Sequence, residues 1–270
     1  MSKVWFITGA SRGFGRSWTL AALERGDRVA GTARDLSAVA DIAAKYRDAF
    51  LPLQLDVTNR ERAFAAVQQA HEYFERLDVV VNNAGYGHFG YVEEITEDDV
   101  RSQLETNFFG ALWITQAAIP IMREQGAGHI VQISSVGGVA AFPGIGMYNA
   151  SKWALEAMSE ALSQEVAGFG IKVTIIEPAG FDTDWSGDSA AHSGALPHYE
   201  AFRAARVAAR RQTPPAEATN AALFAVVDDK QPPLRLLLSS PALMLATSAY
   251  EKRLAEWQAW ADITRSADGI

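Results

Sequence analysis

Cysteine is absent from this chain of 270 residues. Its absence excludes a disulfide framework, thiolate catalysis and zinc–sulfur sites. Long hydrophobic runs are absent too, since no stretch reaches the roughly 18 uncharged apolar residues that a membrane-spanning helix needs. The first apolar run, Val4–Ile7, is too short for the core of a secretory signal. We therefore expect a cytoplasmic protein that has no membrane partner.

Positive charge is also scarce. The chain has 24 Lys and Arg against 32 Asp and Glu, a formal net charge of -8 at pH 7. Without a basic cluster, such a chain is a poor match for a phosphate backbone, and we expect no nucleic-acid partner. The histidines show no metal-ligand spacing, so we predict no metal site, although His88 is a candidate pocket residue. They are His71, His88, His129, His192 and His198.

What the sequence does contain is a series of short apolar runs separated by segments with helical spacing. The runs are rich in Val, Ile and Leu and lack polar alternation, which is typical of parallel strands covered on both faces. This alternation favours an α/β fold with a Rossmann-type doubly wound parallel β-sheet flanked by helices on both faces. We expect a single domain over residues 1–270. The predicted strands are Val4–Ile7, Arg28–Ala33, 50–55, 79–81, 130–133, 173–176 and 234–238.

Two later segments differ from this pattern. Residues 181–215 are rich in Gly, Ser, His, Ala and Pro, and a long insertion of this kind in a compact domain is usually either a functional lid or disordered. We predict that it covers the substrate. Residues 153–166 form a predicted helix with one apolar face. Its predicted buried stripe is Ala154, Leu155, Met158, Ala161, Leu162 and Val166.

The segment TGASRGFG, residues 8–15, follows the first strand and leads directly into a helix. Gly9 allows a tight turn, Gly13 lets the backbone approach a pyrophosphate, and Gly15 lets helix and sheet pack closely. The helix N-terminus offers free N–H groups and the positive end of its dipole to phosphates. We predict that a dinucleotide binds here. The predicted contacts are Gly9, Ser11, Arg12, Gly13, Phe14 and Gly15.

Tyr148 and Lys152 stand four residues apart, which places them on one face of a helix. Interconversion of a carbonyl and an alcohol needs an acid or a base at the oxygen atom. A free tyrosine, with a pKa of about 10, is a poor base at neutral pH. A nearby ammonium group and a positively charged nicotinamide would favour the phenolate and lower that pKa, and Lys152 can supply the first effect.

The order and spacing of these motifs resemble those of the short-chain dehydrogenase/reductase family, in its short single-domain branch. The glycine spacing TGxxxGxG, the NNAG of residues 82–85 and the YxxxK of residues 148–152 all match, and the resemblance extends from Val4 to about Gly180. It implies a homodimer or homotetramer that packs through helices at 100–125 and 146–167. It also implies a catalytic tetrad of Asn107, Ser135, Tyr148 and Lys152.

Each member of this tetrad has a role in the resembled family. Ser135, 13 residues before Tyr148, binds the substrate oxygen. Asn107 holds a water of the proton relay, and Lys152 also binds the nicotinamide ribose. Ser134 should point away from the site, because neighbouring residues of a strand face opposite sides.

The end of the second strand bears on the choice between the two nicotinamide cofactors. NAD-binding Rossmann folds place an Asp or Glu there for the ribose 2′-OH. This chain has Ala33 followed by Arg34, and Arg12 lies in the glycine segment. Two guanidinium groups could clamp a 2′-phosphate, so we predict NADP(H). The alternative is an alignment shifted by one residue, in which Asp35 binds the ribose of NAD and both arginines are solvated.

The resemblance assigns the remaining cofactor contacts. Asp56 and Val57 would meet the adenine, although Asp56 alone could instead cap the following helix. The family usually reads PGxxxT where this chain has an additional Ala179, which puts the exact role of Thr183 in doubt. The further predicted contacts are Asn83, Ala84, Gly85, Tyr148, Lys152, Pro178, Gly180 and Thr183.

Aromatic residues near these motifs suggest an apolar substrate pocket. We therefore predict an NADP(H)-dependent oxidoreductase that interconverts a hydrophobic secondary alcohol and a ketone or aldehyde. A catalytically silent NADP-binding regulator on the same fold is the main alternative, and the complete tetrad disfavours it. Sugar-nucleotide epimerases and dehydratases are usually longer and carry a TGxxGxxG loop. The pocket candidates are Tyr86, Phe89, Phe142, Met147 and Trp185.

Overall fold

The structure, a computed structural model, describes residues 2–187, 189–208 and 212–269. Parts of the predicted lid, residues 188 and 209–211, lie outside this range, as do the two ends of the predicted domain. The strands of the main sheet are β1 (Val4–Ile7), β2 (Arg28–Ala33), β3 (Phe50–Gln54), β4 (Val79–Asn82), β6 (Gly128–Ile133), β7 (Ile171–Pro178) and β9 (Arg235–Leu238). A separate pair consists of β5 (His88–Phe89) and β8 (Ala191–His192).

The main sheet has the order β3-β2-β1-β4-β6-β7-β9, and all of its neighbouring strands are parallel. The predicted strands are confirmed, and six of their fourteen ends are shifted by one or two residues. The α-helices of the described residues are α1 (Gly13–Glu24), α2 (Ala40–Tyr46), α3 (Arg60–Phe74), α4 (Glu97–Leu104), α5 (Gly110–Gln125), α6 (Gly146–Glu165), α7 (Glu200–Ala208), α8 (Asn220–Asp228), α9 (Ser240–Ala259) and α10 (Ala261–Ser266).

Both faces of the sheet are covered by helices. Side chains alternate along β1, so that Val4 and Phe6 pack against α3, α5 and α6, whereas Trp5 and Ile7 pack against α1, α2 and α8. All four are fully buried. Burial on both sides explains why the strands show no polar alternation, and the predicted doubly wound α/β fold is confirmed.

The carboxyl ends of the strands place the site. The order reverses between β1 and β4, and the crevice at such a switch point is where open α/β sheets bind ligands. The glycine segment follows β1, NNAG follows β4, Ser135 follows β6, and Pro178 ends β7. The parallel sheet therefore brings four separate motifs to one edge.

Helix α6 departs from its predicted stripe. Leu155, Leu162 and Val166 are buried as predicted, but Ala161 is exposed. Glu156 and Ser159 are buried in addition, with 5% and 0% exposed. Polar groups therefore occupy part of the face that we predicted to be apolar.

Residues 181–187 and 189–208 cross the carboxyl edge of the sheet. Strand β8 pairs with β5, directly after the NNAG segment, and α7 follows it. Within the described ranges, no helix has the length and apolar character needed to cross a bilayer.

Candidate active site

The glycine segment forms a tight loop between β1 and α1. Gly9 and Gly13 have φ angles of +68° and +53°, the left-handed region that favours glycine. A side-chain carbon at Gly15 would lie 2.2 Å from the carbonyl oxygen of Gly9, so only glycine lets α1 start this close to the loop. Gly13 faces Thr183, whose β-carbon would lie 3.5 Å from such an added carbon.

The loop is locked by the segment after β4. The Asn83 side chain donates to the carbonyl oxygens of Thr8 and Gly9 at 2.9 and 3.2 Å, and the backbone N–H groups of Asn83 and Ala84 both donate to Thr8 Oγ1 at 2.9 Å. Asn82 donates to Thr115 Oγ1 at 3.0 Å and so ties β4 to α5. Asn83 thus shapes the loop through its side chain.

Ser135 and Tyr148 meet around Gly137. A side-chain carbon there would lie 3.2 Å from Ser135 Oγ and 3.3 Å from Tyr148 Cε1. Ser135 Oγ accepts from the Gly137 N–H at 2.9 Å, so the serine caps a short turn and borders the tyrosine at once. Ser134 faces Gly138 and Glu156 instead, as the strand alternation predicts.

Asn107 and Lys152 meet around Gly85. An added carbon at Gly85 would lie 3.0 Å from Asn107 Oδ1 and 3.6 Å from Lys152 Nζ. Lys152 Nζ donates to the Ile133 carbonyl oxygen at 2.7 Å. Asn107 lies in a π-helical turn, Glu105–Phe109, and holds the Tyr86 peptide by bonds of 3.1 and 3.0 Å. The structure therefore brings all four predicted tetrad residues to one place.

Burial is the main influence on the protonation of Tyr148 and Lys152. Burial raises the pKa of Tyr148 to about 12, with the Ser135 hydroxyl acting in the opposite direction. Burial lowers the pKa of Lys152 to about 8, while the negative charge of Glu156 opposes that shift. The lowering of the tyrosine pKa that we expected does not occur in the protein itself, because burial removes the hydration of the phenolate.

Aromatic side chains cover the tyrosine. The Trp185 ring lies 4.9 Å from that of Tyr148 and 5.2 Å from that of Phe89, and Phe89 stacks on His192. Residues of the 181–215 segment therefore contact the predicted catalytic residue directly. Phe142, which we predicted in this pocket, packs instead against an apolar cluster that includes α9, because the turn after β6 carries it that way.

Other pocket candidates lie at the margin. His88 is 1% exposed and its Nε2 lies 2.7 Å from Ser193 Oγ, so it joins the segment to the body of the protein. Tyr86 and Met147 are half-buried. The loop between Pro178 and Thr183 contains Gly180 and brings the chain back to Gly13 of the glycine segment. At the start of this loop, the Ser135 hydroxyl donates to the Pro178 carbonyl oxygen at 3.5 Å.

The residues predicted at the adenosine end are placed as follows. Ala33 is buried at the end of β2, and the Arg34 side chain is exposed beside it. Both carboxylate oxygens of Asp35 accept bonds from Ser37, at 2.9 and 2.7 Å. Arg12 Nη1 lies 3.6 Å from Asp184 Oδ2.

Next to the third strand, Asp56 is exposed and Val57 is buried. Asp56 Oδ1 accepts bonds from the N–H and hydroxyl of Thr58, at 3.0 and 2.8 Å. It does not cap α3, because Asn59 performs that role with a bond of 3.0 Å to the Arg62 N–H. The second carboxylate oxygen of Asp56 thus stays available.

Sequence reasoning missed two sets of residues. Gln103 is fully buried and holds the loop after β4 by bonds of 3.0 Å to Tyr86 O and the His88 N–H. Its position one turn before Asn107 was the only signal. The buried Glu156 and Glu177 and the half-buried Arg235 form a group behind Lys152, and only the position of Glu156 one turn after Lys152 pointed to it.

The chain is similar to several known proteins. The family described as short chain dehydrogenase matches residues 3–194. The oxidoreductase BOA17 of Botryotinia fuckeliana is 40% identical over 270 residues, 98% of this chain and 98% of that protein.

Solved structures give the same result. A short-chain dehydrogenase from Streptomyces avermitilis has a TM-score of 0.92 and 39% identity, covering 98% of both chains. A short chain dehydrogenase/reductase from Burkholderia phymatum, in complex with NAD, has a TM-score of 0.82 and 26% identity over 94% of this chain and 95% of that one. This chain therefore belongs to the short-chain dehydrogenase family of oxidoreductases.

Proposed function

We propose that the protein is an NADP(H)-dependent oxidoreductase that interconverts a hydrophobic secondary alcohol and a ketone or aldehyde, with Tyr148 as the general acid/base. The observation that carries this proposal is the convergence of Tyr148, Lys152 and Ser135 at the sheet edge that also bears the glycine loop. Carbonyl reduction requires an acid, here Tyr148, a hydroxyl that binds the substrate oxygen, here Ser135, and a dinucleotide site, here the glycine loop.

The cradle fits a dinucleotide. The loop from Gly9 to Gly15 and the first turn of α1 would hold the pyrophosphate, since Gly13 carries no side chain and the helix N-terminus offers free N–H groups. Asp56 and Val57 would hold the adenine, and Asn83 to Gly85 would border the riboses. Pro178, Gly180 and Thr183 would border the nicotinamide, as in the resembled family. When bound, the nicotinamide supplies or accepts the hydride.

The protein side of the reaction concerns one proton. Ser135 Oγ would orient the substrate oxygen, and Tyr148 Oη would give that oxygen its proton during reduction. Lys152 would bind a ribose and keep positive charge near the phenol. Asn107 would hold a water that links Lys152 to solvent. Because burial keeps Tyr148 protonated at neutral pH, the protein alone favours the acid role, and the base role needs the additional positive charge of an oxidised nicotinamide.

Two features favour NADP(H) over NAD(H). The carboxylate position of β2 holds Ala33, and the carboxylate of Asp35 is already bonded to Ser37. Arg34 is exposed beside them and can meet a 2′-phosphate, with Arg12 as the second cation if it leaves Asp184. The relative from Burkholderia phymatum binds NAD, so this choice is the part that needs a direct test.

The substrate would be small and apolar. Trp185 and Phe89 surround the Tyr148 ring with aromatic surface, which matches a hydrophobic alcohol or carbonyl compound. We also propose that residues 181–215 act as a lid, because Trp185 covers Tyr148. The chain is proposed to form a homodimer or homotetramer.

Titration with NADPH and NADH, followed by quenching of tryptophan fluorescence, tests the cofactor. We expect NADPH to bind more tightly than NADH. Arg34→Ala should weaken the binding of NADPH by about 10- to 100-fold, because a charge-assisted hydrogen bond is lost, and should leave the binding of NADH unchanged. Arg101→Ala, which removes an exposed arginine from α4, serves as the control. Tighter NADH binding would overturn the NADP assignment.

Turnover with NADPH and a panel such as acetophenone, 2-octanone and octanal tests the reaction. We expect Tyr148→Phe to keep NADPH binding and to lower kcat by about 100-fold or more, since the general acid is lost. Binding of NADPH by the unsubstituted protein without reduction of any carbonyl probe would favour the silent regulator instead.

A further inference from the structure

Behind the active site lies a cluster of acidic side chains around one arginine. Glu156 is on α6, one turn after Lys152, and Glu177 is near the end of β7. Arg235, the first residue of β9, reaches both carboxyl groups through Nε, at 3.2 Å to Glu156 Oε2 and 3.4 Å to Glu177 Oε1. Its Nη2 lies 2.7 Å from Glu160 Oε2. We call these four residues the carboxyl cluster.

Two members of the carboxyl cluster are out of contact with water. Glu156 and Glu177 are 5% and 2% exposed, whereas the side chain of Glu160 is 54% exposed. Three carboxyl groups face one guanidinium group. The buried pair, Glu156 and Glu177, therefore has to keep a proton or have a second cation nearby. Burial raises the pKa of Glu177 to about 8, and the neighbouring Glu156 charge adds to this. Burial raises the pKa of Glu156 too, but the Ser134 hydroxyl and the Arg235 charge act against that shift and favour Glu156 as the ionised member of the pair.

The remaining cation is Lys152. It is 6% exposed and stands one turn before Glu156 on α6, and its amine donates to the Ile133 carbonyl oxygen at 2.7 Å. Ser134 Oγ and a Glu156 carboxyl oxygen converge beside Gly138, where an added carbon would lie 2.5 and 3.2 Å from them. The Glu156 side chain thus lies between Ser134 and Arg235, one turn after Lys152, and Arg235 binds it.

We propose that Glu156 is a positioning residue of the active site: its carboxylate, paired with Arg235 and buried one turn from Lys152 on the same helix, supplies the negative charge that stabilises the Lys152 ammonium group. Glu156 touches neither substrate nor cofactor in this proposal. It acts through Lys152, and the proposal rests on the function proposed above for that lysine.

The charges around Glu156 come from several elements. Helix α9 contributes Arg253, but its guanidinium lies over the Trp153 ring, 4.9 Å away, and not in the cluster. Among the described residues, the titratable groups that face Glu156 are Lys152 and Glu160 on α6, Glu177 on β7 and Arg235 on β9.

The first test reads Lys152 itself and needs no substrate. The chain has six lysines, so the Lys152 amine can be followed by NMR in protein labelled with ¹⁵N-lysine and identified by its loss in Lys152→Arg. We expect Glu156→Gln to lower the pKa of Lys152 by about one unit, because a unit charge in partly buried surroundings is removed. Equal values in Glu156→Gln and unsubstituted protein would overturn the proposal.

Glu160→Gln is the matched control. It removes the same charge from the same helix and the same arginine, one turn farther from Lys152 and in contact with water. We expect its shift to be below about 0.3 units because water screens the exposed group. Equal shifts in the two variants would show a general field effect and no specific role for Glu156.

The second test uses the pH profile of kcat/KM for NADPH-dependent reduction. Activity should fall at alkaline pH when Lys152 loses its charge. Glu156→Gln should shift this alkaline fall to a pH about one unit lower, and Glu156→Asp should shift it less. A uniform loss of activity at every pH would indicate structural damage and contradict the positioning role. If no carbonyl probe is reduced, the NMR titration still decides on Glu156 while the proposed function fails.

Discussion

At the scale of single residues, a carboxyl group as deeply buried as that of Glu177 must keep its proton or find a cation. Arg235 is shared among three carboxyl groups, so it does not neutralise Glu177 alone. The pKa of Glu177 is raised from 4.5 to about 8, first by burial and then by the Glu156 charge. Folding therefore favours the protonated form of this side chain.

This shift predicts a dependence of stability on pH. A group whose pKa is raised by folding contributes fully below its unfolded value and loses that contribution as pH rises through the folded value, here between about 4.5 and 8. We expect the free energy of unfolding to fall by about 2 kcal/mol more between pH 6 and pH 8 in the unsubstituted protein than in Glu177→Gln. Urea unfolding at the two pH values measures the difference.

Glutamine is the neutral isostere of a protonated glutamate, so Glu177→Gln should fold normally at pH 6. Glu160→Gln is again the control, because its exposed carboxylate should leave the pH dependence unchanged. Parallel stability curves for the unsubstituted protein and Glu177→Gln would show that the carboxyl group ionises freely in the fold.

At the scale of elements, helix α6 does three things at once. Its first turns present Tyr148 and Lys152 to the sheet edge, its middle places Glu156 in the carboxyl cluster, and Leu162 packs into the core. A helix can serve all three because residues at i and i+4 lie on one face. The inward face of α6 is therefore a line of functional side chains and not a simple apolar stripe.

The inward face of α6 also shows which features could be predicted from the sequence and which could not. The strands were predictable because parallel strands buried on both faces appear as plain apolar runs, and the tetrad because its motifs have fixed spacing. The burial of Glu156 was not predictable, since its partner Arg235 is 79 residues away in the chain. The pairing of Arg12 with Asp184 was missed for the same reason, because only the fold brings these two distant residues together.

The segment that carries Trp185 is fastened to the body by a buried ion pair. Arg203 on α7 binds Glu94, which is 9% exposed, and Tyr199 stacks on Tyr91 with ring centroids 4.2 Å apart. Burial alone would raise the pKa of Glu94, but bonds from Arg203 and from two backbone N–H groups hold it at about 2. Near neutral pH, Glu94 is therefore ionised and its ion pair with Arg203 is intact.

We expect Arg203→Ala to loosen this segment and leave the sheet intact. A charge-assisted bond to a buried carboxylate is lost, so amide hydrogen exchange across residues 189–208 should become about tenfold faster. Exchange measured by mass spectrometry reports each segment separately, and the β6 and β7 amides should be unchanged. Arg101→Ala, which removes an arginine from an exposed pair with Glu97, is the control. Unchanged exchange in Arg203→Ala would mean that the aromatic contacts alone hold the segment.

At the scale of the whole molecule, the outer face of α6 raises the question of assembly. Ala157 and Ala161 are exposed there, one turn apart, and Trp153 one turn earlier is 38% exposed. Small residues one turn apart let a second helix approach closely, and tryptophan supplies apolar area. This face belongs to the helices at 100–125 and 146–167 that we proposed as the contact between copies of the chain.

If copies pack through this face, a large charged side chain in its middle should separate them. We expect the unsubstituted protein to have two or four times the chain mass of 29.3 kDa in light scattering after gel filtration. Ala161→Arg should shift it towards the mass of one chain, since an unpaired charge would be buried in the contact. Ala255→Arg places the same charge on α9, beside the exposed Leu254 and Trp257, and should leave the mass unchanged. The reverse result, with separation by Ala255→Arg alone, would move the contact to the C-terminal helix, where the large exposed apolar side chains would then be covered by the second copy.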